Sequence, residues 1–153
     1  MNSKTRTVLT AGVLAAALGL GATAQASAGA PRSVSGKTSD NITRIANFYG
    51  TYIDAVLDED SGKLGKDLRS HYLTPAFQKE LAAWENREHA DGVLRAQNVP
   101  LAWKVTESGS TRTKTEAVVT LTWSRGSTTK LVVDMSRSSH KIVHIGEKGA
   151  ARK

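Results

Sequence analysis

The chain has 153 residues, 39% hydrophobic and 23% charged, which suits one globular domain and excludes both disorder throughout and a multidomain enzyme. It carries 21 Lys and Arg against 14 Asp and Glu, a net charge of +7, and no Cys. Disulfides, thiolate metal sites and a cysteine nucleophile are therefore excluded, and only His and carboxylates remain for metal or acid–base chemistry.

Lys4 and Arg6 precede an Ala, Leu, Val and Gly run from Val8 to Ala24. This pattern predicts a secretory signal peptide over residues 1–28, with small-x-small sites at Ala24-Gln25-Ala26 and Ala26-Ser27-Ala28 and a mature start at Ser27 or Gly29. The run barely reaches the roughly 20 apolar residues of a span, so no membrane span is expected after cleavage. The expected location is extracytoplasmic, which also sets nucleic acid aside as a partner. Residues 29–39 are small and polar and read as a flexible leader.

From Asp40 onward Ile42, Ile45, Tyr49, Tyr52, Ile53, Val56 and Leu57 recur at steps of three and four, an amphipathic helix capped by Ser39 or Asp40. Gly50 inside it costs roughly 1 kcal/mol relative to Ala and is either tolerated or admits a close neighbour. Asp58 and Asp60 match the first ligands of a calcium loop, but Lys63 and Arg69 stand where glycine and a bidentate Glu are needed, so calcium is not expected. Leu64, Leu68 and Tyr72 make a short second helix. Thr74-Pro75 starts a third, with Phe77, Leu81 and Trp84 inward and an end near His89 to Gly92.

After Pro100 the period changes to two, and four strands follow at Ala102–Glu107, Thr115–Ser124, Thr128–Met135 and Lys141–Ile145, separated by short polar turns. Ala117, Val119, Leu121 and Trp123 are expected to face the helices, with Trp84, Val119, Leu121 and Trp123 buried and Asp134 on the wet face. The expectation is a single α+β domain over residues 40–146, with N-terminal helices packed on a curved four-stranded antiparallel sheet, and a basic tail over 147–153.

The segments Ile45-Ala46-Asn47-Phe48-Tyr49-Gly50-Thr51-Tyr52, Tyr72-Leu73-Thr74-Pro75-Ala76-Phe77 and Leu94-Arg95-Ala96-Gln97-Asn98-Val99-Pro100-Leu101-Ala102-Trp103 resemble bacterial envelope domains of unknown function in the nuclear-transport-factor-2-like, or cystatin-like cone, superfamily. Their closing Trp-Lys-Ile-type strand is matched by His140-Lys141-Ile142, with His in place of Trp. The resemblance implies a cone but no agreed activity.

Enzymes on such a cone use a desolvated Asp, His and Tyr inside it, which makes His71, Asp54 and Asp91 the groups for a cofactor-free hydro-lyase or isomerase. Tyr49, Tyr52, Arg95 and Trp103 are the residues expected near the rim of a ligand pocket. His140 and His144 lie about 13 Å apart along one strand at about 3.3 Å per residue, too far to share a metal ion, and no metal or other cofactor is expected. The second half of the chain holds the positive excess, ten basic against four acidic residues over 101–153. Arg112, Lys114, Lys130 and Lys141 are accordingly the expected basic surface. The leading expectation is a secreted, non-catalytic binding module for an acidic protein or an anionic cell-wall polymer.

Overall fold

A computed structural model of the chain describes residues 35–58 and 62–149. The expected signal peptide, most of the leader, the acidic loop at 59–61 and the end of the basic tail lie outside them. The first helix, α1 (Asn41–Leu57), begins where the Asp40 carboxylate accepts from the Thr43 backbone N–H at 2.8 Å. Its apolar stripe buries Ile45, Phe48, Tyr49, Tyr52 and Ile53. Helix α2 (Lys63–Tyr72) has no fully buried residue and lays Leu68 and Tyr72 against the same core. In α3 (Pro75–Glu88) Pro75 occupies the first turn and Thr74 caps it, accepting from the Phe77 N–H at 3.3 Å. His89 ends α3 in the left-handed region, φ 51°.

Strands β1 (Ala102–Ser110), β2 (Lys114–Thr122), β3 (Thr128–Ser136) and β4 (Ile142–Glu147) form one open antiparallel sheet in the order β1-β2-β3-β4. The protein is thus α+β, three helices followed by a four-stranded meander. Ala117, Val119 and Leu121 of β2 point inward with Leu131 and Val133 of β3 and Ile145 of β4, all at 0% exposure. Odd positions of β2 are buried and even ones are not, as a period of two requires.

Four expectations need correction. Trp84 and Trp123 are half-buried, not buried: each has a polar partner at the surface, the Arg95 guanidinium 4.2 Å above the Trp84 ring and the Thr129 hydroxyl 2.9 Å from the Trp123 indole N–H. Asp134 does face away from the core, but it is only 3% exposed, because it lies between Glu116 and His144 in the ladder and beneath the Lys114 ammonium at 3.5 Å. β1 runs on to Ser110 because a bulge between Glu107 and Gly109 resets its register. β4 begins only at Ile142, since His140 turns in the left-handed region, φ 51°, so His140 and His144 do not share a strand.

The two sheet edges differ. Leu73 forms a parallel bridge with Ile142, and the Thr74 N–H donates to the Ile142 carbonyl at 3.0 Å. Among the described residues no strand pairs with the outer edge of β1. There Trp103, 38% exposed, lies over α1 at Gly50, where a Cβ would come within 2.9 Å of the indole. The close neighbour that Gly50 admits is therefore a side chain.

Candidate functional site

Of the residues expected at a pocket rim, Tyr49 and Tyr52 are buried at 0% and 2% and belong to the core beneath the helices. The Tyr52 hydroxyl donates to Asp91 Oδ2 at 2.6 Å and accepts from Arg69 Nε at 2.9 Å. Arg69 also bridges to Glu85 at 2.7 Å and to Asp91 at 3.1 Å. Asp91 Oδ1 accepts from the backbone N–H groups of Val93 and Leu94, both at 2.8 Å. All the parts of Asp91 that could take or give a proton thus already hold a donor. Arg95 lies over Trp84 and donates to the Ile145 carbonyl at 2.5 Å, with its Nε buried and without a partner. Trp103 sits apart on β1, so the four expected rim residues do not enclose one pocket.

His71 and Asp54 are exposed, and no hydrogen bond or ion pair joins either of them to Asp91. His71 packs its ring edge-to-face on Tyr72, centroids 4.8 Å apart. The catalytic grouping expected from sequence is therefore not assembled. Among the described residues no group of three or more His, Asp or Glu is placed to hold a metal ion, and no helix is long and apolar enough to cross a membrane.

Burial pushes the Tyr52 phenol well above its ordinary value of 10.0, and the Asp91 charge beside it adds to the effect. Burial does the same to Tyr49. Both phenols stay protonated in the folded state while the unfolded chain releases those protons above about pH 10. Stability is therefore full below that pH and falls as pH rises past it. Urea unfolding at about pH 9 and about pH 11 should show the loss, and Tyr49→Phe should make it shallower.

The basic residues separate on the surface. Arg112 is exposed in the β1–β2 turn. Lys114 pairs with Asp134, and the Lys141 ammonium donates to the His71 carbonyl at the end of α2, where a cation also meets the helix dipole. Each of these also holds a partner within the fold, although Lys114 remains 48% exposed. Lys130 is different. It faces outward opposite Thr120 of β2, which is itself opposite Lys104 of β1.

On the other side Lys148 continues the β4 ladder past Glu147, its N–H donating to the Lys130 carbonyl at 2.9 Å. The first residues of the expected basic tail, Glu147 and Lys148, therefore continue the sheet. Lys104, Thr120, Lys130 and Lys148 thus form one row across the outer face of the sheet. The three lysines are exposed and make no ion pair among the described residues. Strands about 4.8 Å apart give the row a span of about 14 Å. Sequence reading missed Lys104 and Lys148; aligning the strands about their turns would have found them, because each is an even position of the alternating pattern.

No protein-family model matches the chain, and no curated protein matches it in sequence. A crystal structure of a protein of unknown function from Bacteroides thetaiotaomicron is similar over 69% of this chain and 88% of that one, with 18% identity and a TM-score of 0.54. At that identity the likeness is one of fold.

Proposed function

We propose that the domain is a secreted, non-catalytic binding module of the nuclear-transport-factor-2-like type that holds an anionic cell-wall polymer on the outer face of its sheet. The lysine row is the observation that carries this reading. Lys130 and Lys148 stand directly opposite each other with no carboxylate between them, an arrangement that destabilises a sheet on its own account and is relieved by a bound anion. Collinear ammonium groups suit an extended chain of repeating charge. A folded acidic protein would need a shaped counterpart, and the flat row offers none, so the polymer is favoured over it.

The test is retention on a polyphosphate-coupled column. The parent should be held at low salt and released as ionic strength rises, since exposed charges are screened beyond about 8 Å at physiological salt. K104E/K130E/K148E should pass through unretained with its unfolding midpoint unchanged, since opposed glutamates repel as opposed lysines do. K114E and K141E should instead lower the midpoint, through Asp134 and the end of α2. Equal retention of parent and triple variant would refute the proposal.

A further inference from the structure

A polar cleft of about 310 Å³ opens at the far end of the molecule from the lysine row, between the start of α1, the end of β1 and the β3–β4 turn. Its base is a chain of hydrogen bonds drawn from three elements. Asn41, 7% exposed, donates through Nδ2 to the Thr115 hydroxyl at 3.0 Å, and its Oδ1 lies 2.7 Å from His140 Nδ1. Where Asn41 Oδ1 accepts from a neutral imidazole, the His140 proton is on Nδ1. Nε2 is then left with its lone pair, and it has no partner among the described residues. Burying an amide to orient an imidazole is costly unless the amide is paired, and here both ends of the Asn41 amide are.

The walls carry opposite charges that do not meet. Among the described residues Glu107 holds only the Ser110 hydroxyl, at 2.9 Å on Oε1, and the Arg137 side chain only the Thr111 carbonyl, at 3.1 Å. No ion pair joins Glu107 and Arg137, although both line the cleft. Asp40, the other carboxylate at the rim, accepts from the N–H and hydroxyl of Thr43 through Oδ2.

We infer that this cleft binds a small zwitterion, an amino acid or a short peptide, with its ammonium group on Glu107 and His140 Nε2 and its carboxylate on Arg137. A bare anion would gain Arg137 but face Glu107, and a bare cation the reverse. Only a ligand with both charges satisfies both walls. The inference is independent of the lysine row.

Titration calorimetry with L-alanyl-L-alanine, L-alanine, acetate and ethylamine tests it. The dipeptide or the amino acid should bind at least about tenfold more tightly than acetate or ethylamine, the factor that one charge-assisted contact supplies. The tighter of the two identifies the source as peptide or free amino acid. E107Q and R137Q should each weaken binding about tenfold while unfolding as the parent does, because both side chains are exposed. H140A should weaken it as well. Acetate binding as tightly as the dipeptide would make the cleft a plain anion site and overturn the inference, as would zwitterion binding that E107Q and R137Q leave untouched, or no binding of either zwitterion at millimolar concentration.

Discussion

Asp91→Ala should destabilise the domain by about 2–3 kcal/mol, below the range for a buried ion pair because the network is only partly buried, with the Asp91 side chain 22% and that of Arg69 20% exposed. The carboxylate accepts four donors from three parts of the chain: Val93 and Leu94 N–H, the Tyr52 hydroxyl and Arg69. Alanine leaves two backbone N–H groups unmet in the turn that carries the fully buried Val93 and Leu94 into the core. It also removes one of the two carboxylates facing Arg69, whose charge the hydrogen bond to Glu85 helps sustain against burial. Asn retains Oδ1 for the turn and turns an NH₂ group toward Tyr52 and Arg69, so Asp91→Asn should cost about half as much. Urea unfolding of both variants measures this. A loss below about 1 kcal/mol for the alanine variant would mean that water replaces the carboxylate at no expense.

Leu121→Ala is expected to cost about 2–5 kcal/mol, as other fully buried leucine truncations do. Leu121 is 0% exposed on the inner face of β2, opposite Trp103 of β1 and Thr129 of β3. Neighbours held by ladder hydrogen bonds on both sides can close only part of the space it leaves. Thr120→Ala, one residue away on the outer face, should change stability by less than about 0.5 kcal/mol. Similar losses for the two variants would place β2 the other way round.

The order of elements was legible because each signal was local. Thr74-Pro75, the three-and-four spacing of α1 and the switch to alternation after Pro100 are all written within a few residues of the structure they produce. Strand pairing was legible to the same degree, since short turns fix neighbours. What could not be read was anything that depended on distant positions meeting. Arg69, Glu85 and Asp91 come from α2, α3 and the loop after it, and nothing in their spacing marks them as one network. Asp91 was picked out for its chemistry, and the fold gives it a structural task. The partners of Lys114 and Lys141 were not legible, because a sequence shows a lysine but not the carboxylate or helix end that it reaches. Asp134 was assigned the correct face and the wrong exposure, because alternation gives direction only, and burial there comes from its neighbours across β2 and β4.

The unlike edges of the sheet set a limit on how copies of the protein can add to one another. At β4 the Ile142 carbonyl is taken by Thr74 and the Ile145 carbonyl by Arg95, so an incoming strand finds acceptors already filled. Among the described residues only β1 presents an edge that no strand pairs with, and it is nine residues long. Two molecules joining there would use up each other's single open edge, and a third would have nowhere to attach. Among the described residues, strand addition at β1 would thus be self-limiting, the device by which a folded chain with one open edge avoids continued stacking.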